Sequence, residues 1–160
     1  MTNRCCGAIA LLSLLAGCGG LDEPIDLLFP SGHTFVRVET AQIFVVDIGP
    51  DEVGNCPELL SQAELGALMN TEQSTEARPV CEFDRGLVNL PDVAEGLKAY
   101  VAVARAASGT VYLSGCAIAD VYADEPLVVT LTPTQAYRVA FPAGTAPPSC
   151  TRELKCAGGC

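Results

Sequence analysis

The apolar positions of this chain follow three rhythms. The first is an unbroken run from Gly7 to Gly17, preceded by Arg4 and ending in small residues. The second alternates every two residues. From Thr34 to Ile48, Val36, Val38, Phe44, Val46 and Ile48 fall on even positions, while Arg37, Glu39 and Asp47 fall on odd ones. That predicts one half-buried strand, or two broken near Thr40 to Gln42. Gly49, Pro50 and Asp51 end it, because proline and glycine interrupt a ladder. Leu87 to Leu90 predicts a short strand. Leu97, Ala99, Val101 and Val103 then alternate with Lys98, Tyr100 and Ala102. Ser108-Gly109 reads as a turn. The next strand starts at Thr110, with Val111 and Leu113 on one face and Tyr112 and Ser114 on the other. A turn region covers Asp120 to Pro126. Leu127, Val129 and Leu131 alternate again, and Ala136 to Phe141 predicts a last short strand. The third rhythm is helical. Leu59, Leu60, Leu65, Leu68 and Met69 recur at helical spacing, behind Asn55 as a cap and Pro57 in the first turn.

About seven short strands separated by turn signals predict a mostly β chain, an antiparallel β-sandwich with one short helical insertion. A small barrel is the alternative. Leu90-Pro91, Gly96, the strand around Tyr100 to Ala104, Ser108-Gly109, Gly115-Cys116 and Val128 to Leu131 together resemble prealbumin-like (carboxypeptidase-regulatory-like) sandwiches. Copies of that domain occur in many exported bacterial lipoproteins. The resemblance spans about 100 residues, the usual size of such a sandwich, and the insertion from Cys56 to Pro79 departs from it.

The first rhythm changes the picture most. One basic residue, a run of eleven apolar or small residues and a small-residue end make a secretory signal, too short to span a bilayer, which needs about 20. Leu15-Ala16-Gly17-Cys18 matches the lipobox of bacterial lipoproteins. That resemblance implies cleavage before Cys18 and a covalent lipid on it, with no other cofactor. Gly19 follows, where such lipoproteins commonly carry Asp for inner-membrane retention, so the resemblance implies the outer membrane. The expected division is a signal over 1–17, a lipidated tether over 18–33, a β-sandwich over 34–142, and a Pro/Gly linker with a cysteine-rich tail over 143–160.

Composition narrows the role. The whole chain has 160 residues, nine basic and 19 acidic, a net charge of -10. Removing the signal removes Arg4 and no acid, leaving eight basic residues against 19 acidic, or -11. Such a surface excludes nucleic acid, whose phosphates need clustered Lys and Arg. With 49% hydrophobic residues the chain is also too apolar to be a disordered acidic tail.

Nine cysteines indicate an oxidising compartment. Cys5 and Cys6 leave with the signal and Cys18 takes lipid. Cys56, Cys81 and Cys116 remain in the body, with Cys150, Cys156 and Cys160 in the tail. Three against three means that full pairing sends at least one bridge from body to tail, whichever of the 15 connectivities forms. The expected set is Cys56 with Cys116, Cys81 with Cys150, and Cys156 with Cys160. The Cys-x-x-Cys spacing that zinc knuckles and thiol redox sites favour does not occur.

Chemistry is sparse otherwise. The only histidine, His33, falls in the expected tether, outside any cleft. No glycine-rich phosphate loop is present. Asp51-Glu52 and Asp124-Glu125 sit in turns, where acids are ordinarily solvated, and a chain without tryptophan offers a poor sugar platform. Calcium is another use of these acids. Asp47, Asp51 and Glu52 form one cluster, and Asp120, Asp124 and Glu125 a second, though neither follows the Asp-x-Asp-x-Asp-Gly loop. Ser61 and Glu64 have capping-box spacing. The expected function is a lipid-anchored, non-enzymatic envelope module that is structural, adhesive or protein-binding, with another envelope or extracellular protein as partner. The alternative is a small-ligand or calcium-binding receptor.

Overall fold

A computed structural model of the chain describes residues 25–52, 54–90, 93–120 and 127–160. The signal, the lipobox Leu15, Ala16, Gly17 and Cys18, and the acids Asp124 and Glu125 lie outside these residues.

In chain order, the elements are β1 (Asp26–Leu28), α1 (Gly32–Val36), β2 (Thr40–Asp47), a 3-10 turn at Pro50–Glu52, and α2 (Cys56–Glu64). Next come β3 (Thr71–Ser74), β4 (Arg78–Pro79), α3 (Val80–Asp84), β5 (Leu97–Arg105) and β6 (Val111–Asp120). Last are β7 (Val128–Thr130), β8 (Thr132–Pro133), α4 (Gln135–Ala140) and α5 (Arg152–Cys156). The chain is mostly β, as the alternation predicts, in two sheets. One has six strands, ordered β3-β2-β5-β6-β8 with β4 also on β2, and the other is the two-stranded ribbon β1-β7. Every pair in the large sheet is antiparallel, while β1 and β7 run parallel.

The middle of the large sheet is covered on both faces. On one, Ile43, Val45, Tyr100, Ala102 and Leu113 pack against Leu27, Phe29, Phe35, Val80, Phe83 and Val129, which form the main core. On the other, Val101, Val103 and Val111 pack on Ala63 of α2, with Phe44, Leu59 and Leu60 beside them. This is why both parities of β5 are apolar: a strand clad on two faces cannot expose either set. Gly115 of β6 serves the first face. A Cβ there would stand 2.3 Å from the Thr130 carbonyl oxygen, so glycine is what lets β7 cross this close.

Several expectations change. Ile25, Leu27 and Phe29 are buried in the main core, so the ordered fold begins inside the segment expected to be a tether. The stretch expected to open a strand at Thr34 is instead helix α1. Ser31 accepts from the Thr34 amide at 3.2 Å and its own amide donates to Thr34 Oγ1 at 3.1 Å, a reciprocal cap that starts a helix. The alternation proper begins at Thr40. Leu87 to Leu90 is not a strand. Ala136 to Phe141 lies mostly in α4, started by Thr134 Oγ1, which accepts from the Tyr137 amide at 3.3 Å. Among the described residues there are five α-helices, not one helical insertion. The part of the Cys56 to Pro79 insertion that follows Met69 contains β3 and β4. The helix expected from Cys56 is present as α2, with Pro57 in its first turn, but it ends at Glu64, before Leu65, Leu68 and Met69, and the Asn55 side chain makes no cap hydrogen bond.

Among the described residues three disulfides close the fold: Cys56–Cys116, Cys81–Cys156 and Cys150–Cys160, with Cα separations of 5.7, 5.3 and 6.0 Å. The first pair is as expected. The other two exchange partners, because α5 lays Cys156 over α3. The tail is stitched to the body, through Cys156 rather than Cys150. Among the described residues no helix is long and apolar enough to cross a membrane.

Candidate functional site

A surface cleft of about 520 Å³ lies between the end of β2 and helix α2. Its apolar floor comes from Val46, Ile48 and Leu59, and its polar rim from Asp47, Glu52, Asn55, Glu58 and Gln62. The alternation of β2 supplies the floor, since Val46 and Ile48 share the parity that faces α2. Helix α2 is fixed at both ends. Cys56 in its first turn bonds Cys116 of β6, and Glu64 in its last turn accepts from the buried Ser114 hydroxyl at 2.7 Å. Ser61 and Glu64 therefore do not form a capping box, because Glu64 is committed to the sheet.

Behind Asp47 stands a buried cation. The Lys98 side chain is 3% exposed and its Nζ lies 2.7 Å from Glu72 Oε2 and 3.1 Å from Asp47 Oδ1. Asp47 and Lys98 are direct cross-strand partners. Glu72 comes from an irregularity in β3: Gln73 faces Val45 and Thr71 faces Val46, leaving Glu72 as the extra residue. A bulge re-aims a side chain in this way. Glu72 Oε1 also accepts from the Ala94 amide at 2.8 Å. Hydrogen bonding from Lys98, then from Ala94, lowers the Glu72 pKa below the ordinary carboxyl value. Hydrogen bonding to Glu72 raises the Lys98 pKa, against the burial that opposes it. Lys98 is thus held protonated, which suits a structural cation and not an amine nucleophile.

Among the described residues, the acids expected for calcium have separate contacts. Asp47 turns to Lys98, Glu52 Oε2 accepts from the Gly49 amide at 2.8 Å, and Asp51 is exposed. Asp120 closes β6 opposite Leu97. Among the described residues, no three His, Cys, Asp or Glu side chains converge as a metal site. Glu58, which periodicity alone did not single out, joins the cleft rim and accepts from Gln62 at 2.9 Å. Its position in the first turn of the predicted helix was the available signal. His33 is exposed on α1, not in a tether, beside Arg37, Tyr137 and Phe141.

A second cluster gathers the scarce cations. Lys155 of α5 pairs with Glu39 at 2.7 Å, Arg152 pairs with Asp84, and Arg85 donates to the Cys156 carbonyl. The Arg152 guanidinium lies 4.6 Å from the Phe35 ring centroid, and Arg37 lies 4.3 Å from that of Phe141, both cation–π distances. These contacts, with Cys81–Cys156, turn an eleven-residue tail into part of the wall. The arrangement is a disulfide-closed, mostly β domain with an acidic cleft between β2 and α2. Compared with known proteins, the chain matches no family profile, no curated sequence and no solved structure.

Proposed function

We propose that this chain is a lipid-anchored module of the bacterial cell envelope, attached through Cys18 in the outer membrane, with a non-enzymatic structural, adhesive or protein-binding role. The observation that carries the reading is the order of features. The Leu15-Ala16-Gly17-Cys18 motif follows an apolar run and precedes, by a few residues, a domain closed by three disulfides. Disulfides of this density belong to exported domains, and several acyl chains hold a protein at a membrane where one alone does not. The partner is another envelope or extracellular protein. Prealbumin-like topology is the finer reading of the fold. The Ser108-Gly109 turn between β5 and β6 supports it, and the function does not depend on it. Replacing Cys18 with Ser and fractionating cells tests the anchor. The variant is expected in the soluble fraction, and persistence in membranes refutes the reading.

The cleft favours a second reading, a receptor for a cation or small ligand, because Asp47, Glu52 and Glu58 line one cavity. Thermal melting with calcium and then chelator decides it. A calcium-dependent rise that chelator removes supports the receptor, and an unchanged midpoint counts against calcium as the ligand.

A further inference from the structure

The proposed anchor sets a length. Cys18 lies seven residues before Ile25, and Ile25 is already buried in the main core. Seven extended residues span at most about 25 Å. The domain is therefore leashed closely, and it is leashed at the end where β1 begins.

That end carries uncovered apolar surface. The outward residues of the β1-β7 ribbon are Asp26, Leu28, Val128 and Thr130. Leu28 is 56% exposed and Val128 is 43% exposed. Both border a groove of about 370 Å³ that reaches Phe29 and Phe83, with Asp84 and Arg152 on its wall.

We infer that this face of the ribbon lies against the bilayer, with Leu28 and Val128 entering the boundary between headgroups and acyl chains. The inference rests on the lipid-anchored reading and extends it by naming the face. Two partly exposed aliphatic side chains gain too little on burial to hold a free protein. A short leash changes that. It makes the contact intramolecular, at an effective concentration on the order of millimolar. The contact is apolar and not charge-driven, because Arg152 is already paired with Asp84 and Asp26, the register partner of Val128, puts a carboxylate on the same face. Zwitterionic lipid is enough. Helix α2 covers the opposite face of the large sheet, so the acidic cleft points away from the bilayer and stays open to a partner.

The chain has no tryptophan, which makes a single reporter possible. The full chain, carrying either Leu28→Trp or Leu65→Trp, is expressed in a bacterium, purified from membranes and placed in phosphatidylcholine vesicles with brominated acyl chains. Leu65 is 80% exposed, just after α2. Intact mass shows first whether Cys18 is acylated. With acylation present, bromine should quench Leu28→Trp at least about twofold more than Leu65→Trp, as expected for shallow interfacial insertion. Raising salt should leave that difference unchanged, and adding Val128→Asp should reduce it. Equal quenching of the two reporters on an acylated chain overturns the docking and leaves the anchor standing. A mass without acyl groups overturns the anchor and, with it, the docking.

Discussion

Cys81 in α3 is bonded to Cys156 in α5, 75 residues later in the chain. That bridge is what makes the carboxyl-terminal tail part of the domain. It holds α5 where Arg152 can cover Phe35 and Lys155 can reach Glu39.

Removing that bridge with Cys81→Ala and Cys156→Ala together should destabilise the domain by about 2–4 kcal/mol. Removing Cys150–Cys160, which closes a separation of only 10 residues, should cost less, since a shorter loop restrains the unfolded chain less. Urea unfolding of the two double variants gives the order. Limited proteolysis adds a second readout: cleavage in the 143–149 linker should shed the tail only when Cys81–Cys156 is absent.

Glu72→Gln should cost about 1–3 kcal/mol, because it leaves the buried Lys98 ammonium short of an acceptor. Lys98→Met should cost less than that. It removes the buried charge itself, leaves Asp47 open to water, and leaves Glu72 the hydrogen bond from the Ala94 amide. Thermal unfolding of both variants checks the asymmetry.

The same pair sets a pH window. Glu72 has its pKa lowered by folding, so its contribution is present above the ordinary carboxyl value, about 4.3, and is lost as pH falls through the folded pKa. Lys98 has its pKa raised, so its contribution is full below the ordinary lysine value, about 10.4, and is lost as pH rises through the folded pKa. Urea midpoints should be level between those limits and fall on either side. Glu72→Gln should flatten the acid limb, and an unchanged acid limb would show that other carboxylates carry it.

Gly115→Ala should destabilise by about 1–3 kcal/mol, the range for an overpacked core, because its Cβ would meet the Thr130 carbonyl oxygen at 2.3 Å. Gly32→Ala is the control: a Cβ there meets nothing within 4 Å. Calorimetry should show a lower midpoint for the first and little change for the second.

The strands visible in the sequence are those with two-residue alternation and long pairing, β2, β5 and β6. Their partners were harder to see for physical reasons. β3 and β4 are short and polar because they edge the sheet, where one face of apolar residues is not required. α1, α4 and α5 are five or six residues long, too short to show a helical period, and their caps Ser31, Thr134 and Thr151 were the signal available. β1 was hidden because its one inward residue, Leu27, sits among Leu21, Leu28 and prolines without alternation. The acidic clusters were visible as counts, but pairing took Asp47 to Lys98, a partner 51 residues away that no local pattern indicates. The three-against-three division of cysteines foretold a body-to-tail bridge, though not which cysteine makes it.

The ribbon β1-β7 has a consequence for the order of assembly. Its register joins Leu27 to Val129, and α5 then closes over Phe29 and Phe35. β1 has no strand partner until β7 is available. Contacts at such separation form late, because the intervening loop must close first. A chain delivered amino-terminus first therefore cannot complete its core while it is still emerging. The pairing of β1 waits for β7, so the ribbon is where the early and late parts of the described fold are joined.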